Sequence, residues 1–265
     1  MKAVIVDIDG VVLQDNRALP GAKELVDTLR TAGLRFVFLT NYPSQTPADI
    51  SNRMADAGVE IGAEHFYTSA MATAEFLKVQ AGHKRKAFVV GEGALVHAVY
   101  EAGFTLAESD VDFVVVGETR AYNFEMIQRA AYLINRGARF IATNPDVAGP
   151  QGRPSCGAFV APIERITGKT PFYIGKPNAF MMRAALGHLG VHSNECWMIG
   201  DNMDTDIIAG VQTGLVTVLV LSGVSQEADL PRYAYRPDYV VKDAPSLVVL
   251  LNEQAGAKAS PPESA

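Results

Sequence analysis

Cysteine is scarce in this sequence. The chain of 265 residues has two, Cys156 and Cys196, which lie far apart and form no CxxC pair. The sequence therefore argues against a thiolate zinc site and against a disulfide framework. We expect both thiols to be small buried residues in a reducing, cytoplasmic protein.

Long apolar runs and an excess of basic residues are also missing. No run approaches the roughly 18 residues of a membrane span, and Asp7 and Asp9 interrupt the apolar amino terminus. The 23 Lys and Arg against 29 Asp and Glu give a net charge of −6, the wrong sign for a surface that binds nucleic acid throughout. We expect neither a membrane nor a nucleic-acid partner, while the sequence leaves homo-oligomer formation open.

Short β-branched runs instead alternate with longer amphipathic stretches, which is typical of βαβ units around a parallel sheet. The predicted fold class is therefore α/β. Helices are predicted at Gly21–Ala32 and Asp49–Ala57. The predicted strands are Ala3–Val6, Arg35–Leu39, Ala87–Val90, Phe113–Val116, Phe140–Ala142, Phe172–Ile174, Trp197–Ile199 and Thr217–Leu221.

Two segments of the chain have similar sequences. The sequence from Arg35 to Asn41, RFVFLTN, resembles RFIATN from Arg139 to Asn144. Two α/β subdomains would explain this likeness, but so would the general similarity of strand-to-turn transitions.

Polar residues follow several of the predicted strands. Because parallel strands bring their carboxyl ends to one edge of a sheet, where ligands bind, these residues are the candidate site. They comprise Asp7, Asp9 and Gly10 after the first strand, Thr40 and Asn41 after the second, Lys176 after a later one, and Gly200 to Asp206 after Trp197–Ile199.

The spacing of these residues indicates phosphoryl transfer with a metal ion. Asp7 and Asp9 are two apart and point to the same side of an extended chain. Their mutual repulsion would be relieved by Mg²⁺, bound by Asp7, Asp201 and a main-chain carbonyl. One acid could attack phosphorus while the other, held protonated, serves as general acid and then general base. Lys176 supplies the opposing positive charge.

Four motifs, in order, resemble those of haloacid dehalogenase superfamily phosphatases. They are Asp7-Ile8-Asp9, Thr40, Lys176 and the GDxxxTD string from Gly200 to Asp206. The longer strings VDIDGVV, LTNYPSQT, VVGEGAL, FIATNPD, YIGKPN and VLSGVS are similar to the NagD-type nucleotide phosphatases of that superfamily. The resemblance extends from Met1 to about Val224 and shows no departure at the motif positions.

The resemblance implies a role for each matching residue. Asp7 would be the nucleophile and Asp9 the acid and base, while Thr40, Asn41 and Lys176 would contact phosphate. Mg²⁺ would be held by Asp7, Asp201 and the main-chain carbonyl of Asp9, with Asp206 in support. We also place Asp9 and Asn202 among the substrate-binding residues.

The resemblance further implies a Rossmann-like parallel-sheet core with a smaller inserted α/β cap domain. We predict core segments at 1–81 and 173–255, the cap at 82–172, and a disordered tail at 256–265, where two prolines and no large apolar residue occur. In the cap, Asn144 and Asp146 either recognise the leaving group or stabilise a turn through their side chains.

The predicted activity is Mg²⁺-dependent hydrolysis of small phosphate monoesters, nucleoside 5'-monophosphates and UMP in particular. Sugar-phosphate hydrolysis or phosphotransfer to another alcohol is an alternative with the same chemistry. A phosphoacceptor module of the receiver type uses similar residues, although such modules are about half this length and have no cap.

Overall fold

The computed structural model describes residues 1–82 and 84–256. Most of the predicted tail, residues 257–265, lies outside the described residues. The strands are β1 (Ala3–Val6), β2 (Leu13–Gln14), β3 (Arg17–Ala18), β4 (Arg35–Thr40), β5 (Phe66–Thr68), β6 (Lys86–Val90), β7 (Thr105–Leu106), β8 (Phe113–Val116), β9 (Arg139–Ala142), β10 (Phe172–Tyr173), β11 (Cys196–Gly200), β12 (Val216–Val220) and β13 (Tyr239–Val241). The α-helices are α1 (Ala22–Thr31), α2 (Pro47–Asp56), α3 (Ser69–Gln80), α4 (Gly93–Glu101), α5 (Phe124–Asn135), α6 (Cys156–Thr167), α7 (Ala179–Leu189), α8 (Ile208–Thr213) and α9 (Ala244–Gly256).

Two sheets organise these elements. A six-stranded sheet has the order β13-β12-β11-β1-β4-β5, and a five-stranded sheet has the order β10-β9-β8-β6-β7. Neighbouring strands are parallel from β13 to β4 and throughout the five-stranded sheet. The predicted α/β class with parallel sheets is confirmed.

The chain divides into two compact units. Unit 1 comprises Met1–Leu39, Pro47–Phe66 and the residues from Ala185 onward, and unit 2 comprises Thr40–Thr46 and Tyr67–Ala184. Residues 40–46, 67–81 and 173–184 thus belong to unit 2, whereas the sequence-based scheme gives them to the core. That scheme stays a prediction.

The core of unit 1 surrounds β1. All four residues of β1 are buried, as expected for a central strand of a parallel sheet that is covered on both faces. Leu25 and Leu29 of α1 pack with Leu247 and Leu251 of α9 in the same apolar cluster. The four-residue spacing of the leucines in each pair places them on one apolar face of the helix.

Unit 2 has its own core around β8, whose four residues are all buried. Leu133 and Ile134 of α5 and Val160 and Ile163 of α6 pack against this strand in one apolar cluster. Each unit therefore buries the faces of its own parallel sheet.

Each predicted strand begins and ends within one residue of its observed bounds. The hairpin of β2 and β3 and the edge strands β5, β7 and β13 were not predicted. They contain two or three residues each, which is too few for a periodic pattern.

Both cysteines are buried and free, as predicted. Burial raises the pKa of the Cys156 thiol to about 11 and that of Cys196 to about 12. Among the described residues, the helices are too short or too polar to cross a lipid bilayer.

Candidate functional site

Three carboxylates converge where β1 and β11 end in unit 1. Asp7 follows β1, Asp201 follows β11, and Asp206 lies in a π-helical turn, Met203–Ile207. The two strands are parallel neighbours, and the Asp7 N–H donates to the Ile199 carbonyl at 2.8 Å. One carboxylate oxygen from each of the three acids lies within 4.8 Å of the other two. We call these three residues the acid cluster.

The acid cluster fits a divalent metal ion. Asp201 is 4% exposed and Asp206 is fully buried, while Asp7 is half-buried. Carboxylates this close repel one another, and burial removes the water that would screen them. Carboxylate oxygens are the ligands that hard divalent cations prefer, so a bound cation would relieve the repulsion.

Two glycines allow the main chain to approach the acid cluster. Gly10 has a φ of +82°, and a Cβ on it would lie 2.2 Å from Asp201 Oδ2. A Cβ on Gly200 would lie 2.3 Å from the Cβ of Asp206. Any larger residue at either position would displace a carboxylate, so glycine is required at both.

Asn202 belongs to the same turn as Asp206. Its side-chain oxygen accepts a hydrogen bond from the Asp204 N–H at 2.9 Å, and its own N–H donates to Asp206 Oδ2 at 3.2 Å. Asp9 is half-buried in the turn that leads from β1 to β2. The substrate contacts predicted for Asn202 and Asp9 stay predictions.

The other predicted residues lie in unit 2, and several of them contact one another. Asn41 Nδ2 donates to Asp146 Oδ2 at 2.9 Å, and Asn144 Nδ2 donates to the Asn41 carbonyl at 2.8 Å. We call Asn41, Asn144, Asp146 and Lys176 the amide cluster. Asn41 and Asn144 are the last residues of the two similar segments, Arg35–Asn41 and Arg139–Asn144. These segments contain β4 and β9, which belong to two different sheets, as the two-subdomain explanation requires.

The side chain of Asn41 holds the main chain of Lys176. Asn41 Oδ1 accepts from the Lys176 N–H at 2.7 Å, and Asn41 Nδ2 donates to the Lys176 carbonyl at 3.0 Å. A Cβ on Gly175 would lie 2.6 Å from Asn41 Oδ1, so a larger residue would break this pairing. Both amide hydrogens of Asn41 are used within the cluster, and Lys176 is 3% exposed.

Thr40 ends β4 and is 4% exposed. Its hydroxyl oxygen accepts a hydrogen bond from the Tyr42 N–H at 3.1 Å, which orients the side chain. A hydroxyl that accepts in this way still carries its own hydrogen to donate.

Asn144 adopts the turn that was one of its two predicted roles. It is fully buried, and its Oδ1 accepts from the Asp146 N–H at 3.2 Å, an Asx turn. Its amide group also donates to the hydroxyl of Thr143 at 3.2 Å. Asp146 is half-buried, so of these two residues it is the better placed to meet a ligand.

Sequence reasoning missed a buried acid, Glu118, which follows β8 and is 9% exposed. It accepts hydrogen bonds from the Ser155 hydroxyl and from the Cys156 N–H, where α6 begins. A carboxylate there interacts favourably with the helix amino terminus. Burial nevertheless raises the pKa of Glu118 above its ordinary value. The signal in the sequence was its place after the strand FVVV, where other strands carry site residues.

Comparisons with known proteins agree with the motifs. Residues 4–105 match the family model for haloacid dehalogenase-like hydrolases, and residues 173–247 match a HAD-hydrolase-like model. The chain is 52% identical over 250 residues to ribonucleotide monophosphatase NagD of Escherichia coli K12, covering 94% of this chain and 99% of that relative. It is 46% identical over 246 residues to dihydroxyacetone phosphatase of Corynebacterium glutamicum, covering 92% and 89%.

A solved structure shows the same relation. The structure of NagD from E. coli K-12 has a TM-score of 0.89 to this chain and 52% sequence identity, and the match covers 92% of this chain and 97% of that one.

Proposed function

The chain belongs to the haloacid dehalogenase-like hydrolases and is a phosphatase, and from this premise we propose that it hydrolyses nucleoside 5'-monophosphates, UMP in particular, with Mg²⁺ as cofactor. The observation that carries this proposal is the acid cluster, three carboxylates within 4.8 Å of one another at the ends of parallel strands. The 52% identity to a ribonucleotide monophosphatase supports the substrate class. The scarcity of cysteine supports a cytoplasmic location.

We propose Mg²⁺ because the available side-chain ligands are carboxylates. Asp7, Asp201 and the main-chain carbonyl of Asp9 would hold the ion, and Asp206 would support them. When bound, the ion would offset the negative charge on the substrate phosphate.

Two steps account for the hydrolysis. In the first, a carboxylate oxygen of Asp7 attacks phosphorus and the bond from phosphorus to the leaving oxygen breaks, while Asp9 gives its proton to that oxygen. This leaves an aspartyl-phosphate on Asp7. In the second, Asp9 takes a proton from water, the water oxygen bonds to phosphorus, and the bond from phosphorus to Asp7 breaks to release phosphate.

The residues of unit 2 contribute binding in this proposal. Lys176 supplies positive charge to the phosphate, and Thr40 donates its hydroxyl hydrogen. Because both amide hydrogens of Asn41 are already donated, we assign Asn41 to holding Lys176 in place. Asn202 remains a proposed substrate contact, and Asp146 a proposed contact to the leaving group, with Asn144 shaping the loop.

Small sugar phosphates are a second candidate substrate class. The 46% identity to a dihydroxyacetone phosphatase favours them, because that relative covers nearly the same part of this chain. The catalytic steps would be unchanged, and only the contacts to the leaving group would differ.

Phosphate release from a panel of nucleoside monophosphates and sugar phosphates tests the proposal. We expect release that favours UMP, stops with a chelator and returns with added Mg²⁺. Release that favours sugar phosphates would select the second candidate, and activity unchanged by chelation would overturn the metal requirement. If Asp146→Ala leaves the ranking of substrates unchanged, Asp146 does not recognise the leaving group.

A further inference from the structure

The loop that follows β12 contacts the acid cluster. β12 is the parallel neighbour of β11, with Leu219 paired to Gly200, so the loop Ser222–Ser225 begins beside Asp201. We propose that Ser222 and Ser225 are positioning residues, which hold the carboxylate of Asp201 and the turn after Asp7 in the arrangement that binds a divalent cation. The inference rests on the metal requirement in the proposed function.

Ser225 holds the main chain on both sides of Asn202. Its N–H donates to the Asp201 carbonyl at 3.0 Å, and its hydroxyl oxygen accepts from the Met203 N–H at 3.0 Å. Ser225 is 4% exposed, so water competes little for these bonds. The two bonds fix the start of the π-helical turn that carries Asp206.

The middle of the loop holds the carboxylate itself. The Val224 N–H donates to Asp201 Oδ2 at 2.7 Å, a short bond to a charged acceptor. A Cβ on Gly223 would lie 1.8 Å from the same oxygen, so the main chain of the loop packs directly against the carboxylate. Only glycine permits this approach.

Ser222 holds the turn that follows the Asp7-Ile8-Asp9 motif against Asp201. Its hydroxyl donates to the Gly10 carbonyl at 2.6 Å, and Gly10 is the residue whose Cβ would meet Asp201 Oδ2. The turn after Asp7 and the carboxylate of Asp201 are thereby held by one four-residue loop. Groups that orient metal ligands in this way change metal affinity by about 10- to 100-fold when they are removed.

Binding of Mn²⁺ to the full-length protein without substrate, measured by electron paramagnetic resonance with Mg²⁺ as competitor, tests the proposal. Ser222→Ala and Ser225→Ala are expected to raise the Mn²⁺ dissociation constant by about 10- to 100-fold. Ser222→Thr keeps the hydroxyl and should bind Mn²⁺ within about threefold of wild type, since the donor to Gly10 is retained.

Ser51→Ala is the matched control. Ser51 is also a half-buried serine of unit 1 whose hydroxyl donates to a main-chain carbonyl at 2.6 Å, that of Ile61. Loss of the Ser51 hydroxyl should lower the melting temperature by about as much as Ser222→Ala is expected to. It should leave the affinity for Mn²⁺ unchanged. Ser222 is half-buried, so Ser222→Ala provides the test even if Ser225→Ala does not fold.

Folded serine variants that bind Mn²⁺ with wild-type affinity would overturn this assignment while the proposed function stood. A wild-type protein that bound no Mn²⁺ would overturn the metal requirement and this assignment with it.

Discussion

The acid cluster of unit 1 and the amide cluster of unit 2 hold their carboxylates differently. In the first, three carboxylates approach within 4.8 Å, and main-chain N–H groups such as that of Val224 orient them. In the second, the carboxylate of Asp146 accepts from the neutral amide of Asn41. The first arrangement gathers negative charge that a cation would balance, whereas in the second a neutral amide, Asn41, contacts both a carboxylate and the main chain of Lys176. We infer that one region is built to bind an ion and the other to fix a lysine.

Asp7→Asn is the change that should break the acid cluster most completely. It removes the proposed nucleophile and a metal ligand together, so kcat should fall by roughly three or more orders of magnitude. Phosphate release from UMP measures the loss. Asp27→Asn, at an exposed position of α1, should retain full activity. Turnover near the wild-type rate in Asp7→Asn would contradict the assignment of Asp7.

Asp9→Asn separates proton transfer from ion binding within unit 1. Loss of a general acid should cost about 10²- to 10⁴-fold in kcat on UMP, whose leaving alcohol needs a proton. An activated aryl phosphate needs less help, so its hydrolysis should suffer less. The measurement is kcat of Asp9→Asn relative to wild type on each of the two substrates. Equal losses of kcat on both would argue against Asp9 as the general acid.

Asn41→Ala tests whether the amide cluster acts through Lys176. The change leaves the Lys176 N–H and carbonyl without their Asn41 partner, so Lys176 should be held less firmly against the phosphate. KM should rise about tenfold, the equivalent of about one ordinary hydrogen bond. The Mn²⁺ dissociation constant should not change.

Asn123→Ala is the control for Asn41→Ala. Asn123 caps α5 in the same unit by accepting from the Met126 N–H, so its loss should lower stability by about 1 kcal/mol and leave KM unchanged. A large loss of Mn²⁺ affinity in Asn41→Ala would show that the two clusters are not separate in function.

The smallest expected effect concerns the buried acid of unit 2. Because the pKa of Glu118 is raised by burial, the folded protein binds its proton more tightly than the unfolded chain does. The contribution of Glu118 to stability therefore falls as pH rises from its ordinary pKa of 4.5 through the raised value.

Urea unfolding at a series of pH values checks this effect. In Glu118→Gln this decrease in the free energy of unfolding should be absent. The stability of the variant relative to wild type should therefore increase as pH rises across that window. Glu101→Gln, at an exposed position of the same unit, should run parallel to wild type. A parallel course for Glu118→Gln would contradict the prediction.

The longer elements and the strand-end residues were predictable because their signals are local. A buried strand of a parallel sheet is a run of apolar residues, as in β1 and β8, and the acids and amides follow it directly in the chain. Apart from β10, the two- and three-residue strands were not predictable. Their pairing depends on a neighbouring strand that the local sequence does not specify.

The sequence by itself determined the α/β class, the family and the order of its motifs, since Asp7, Thr40, Lys176 and Asp201 can each be read from a few adjacent residues. Tertiary structure alone decided which of them share a cluster. It brought the Asp206 carboxylate beside Asp7, and it paired the side chain of Asn41 with the main chain of Lys176.

Tertiary structure alone also placed the loop Ser222–Ser225 against Asp201 and Gly10. Several of these contacts are made by main-chain N–H and carbonyl groups. Every residue except proline carries both groups, so such a contact does not require a particular amino acid. Only the fold shows which of these groups form hydrogen bonds.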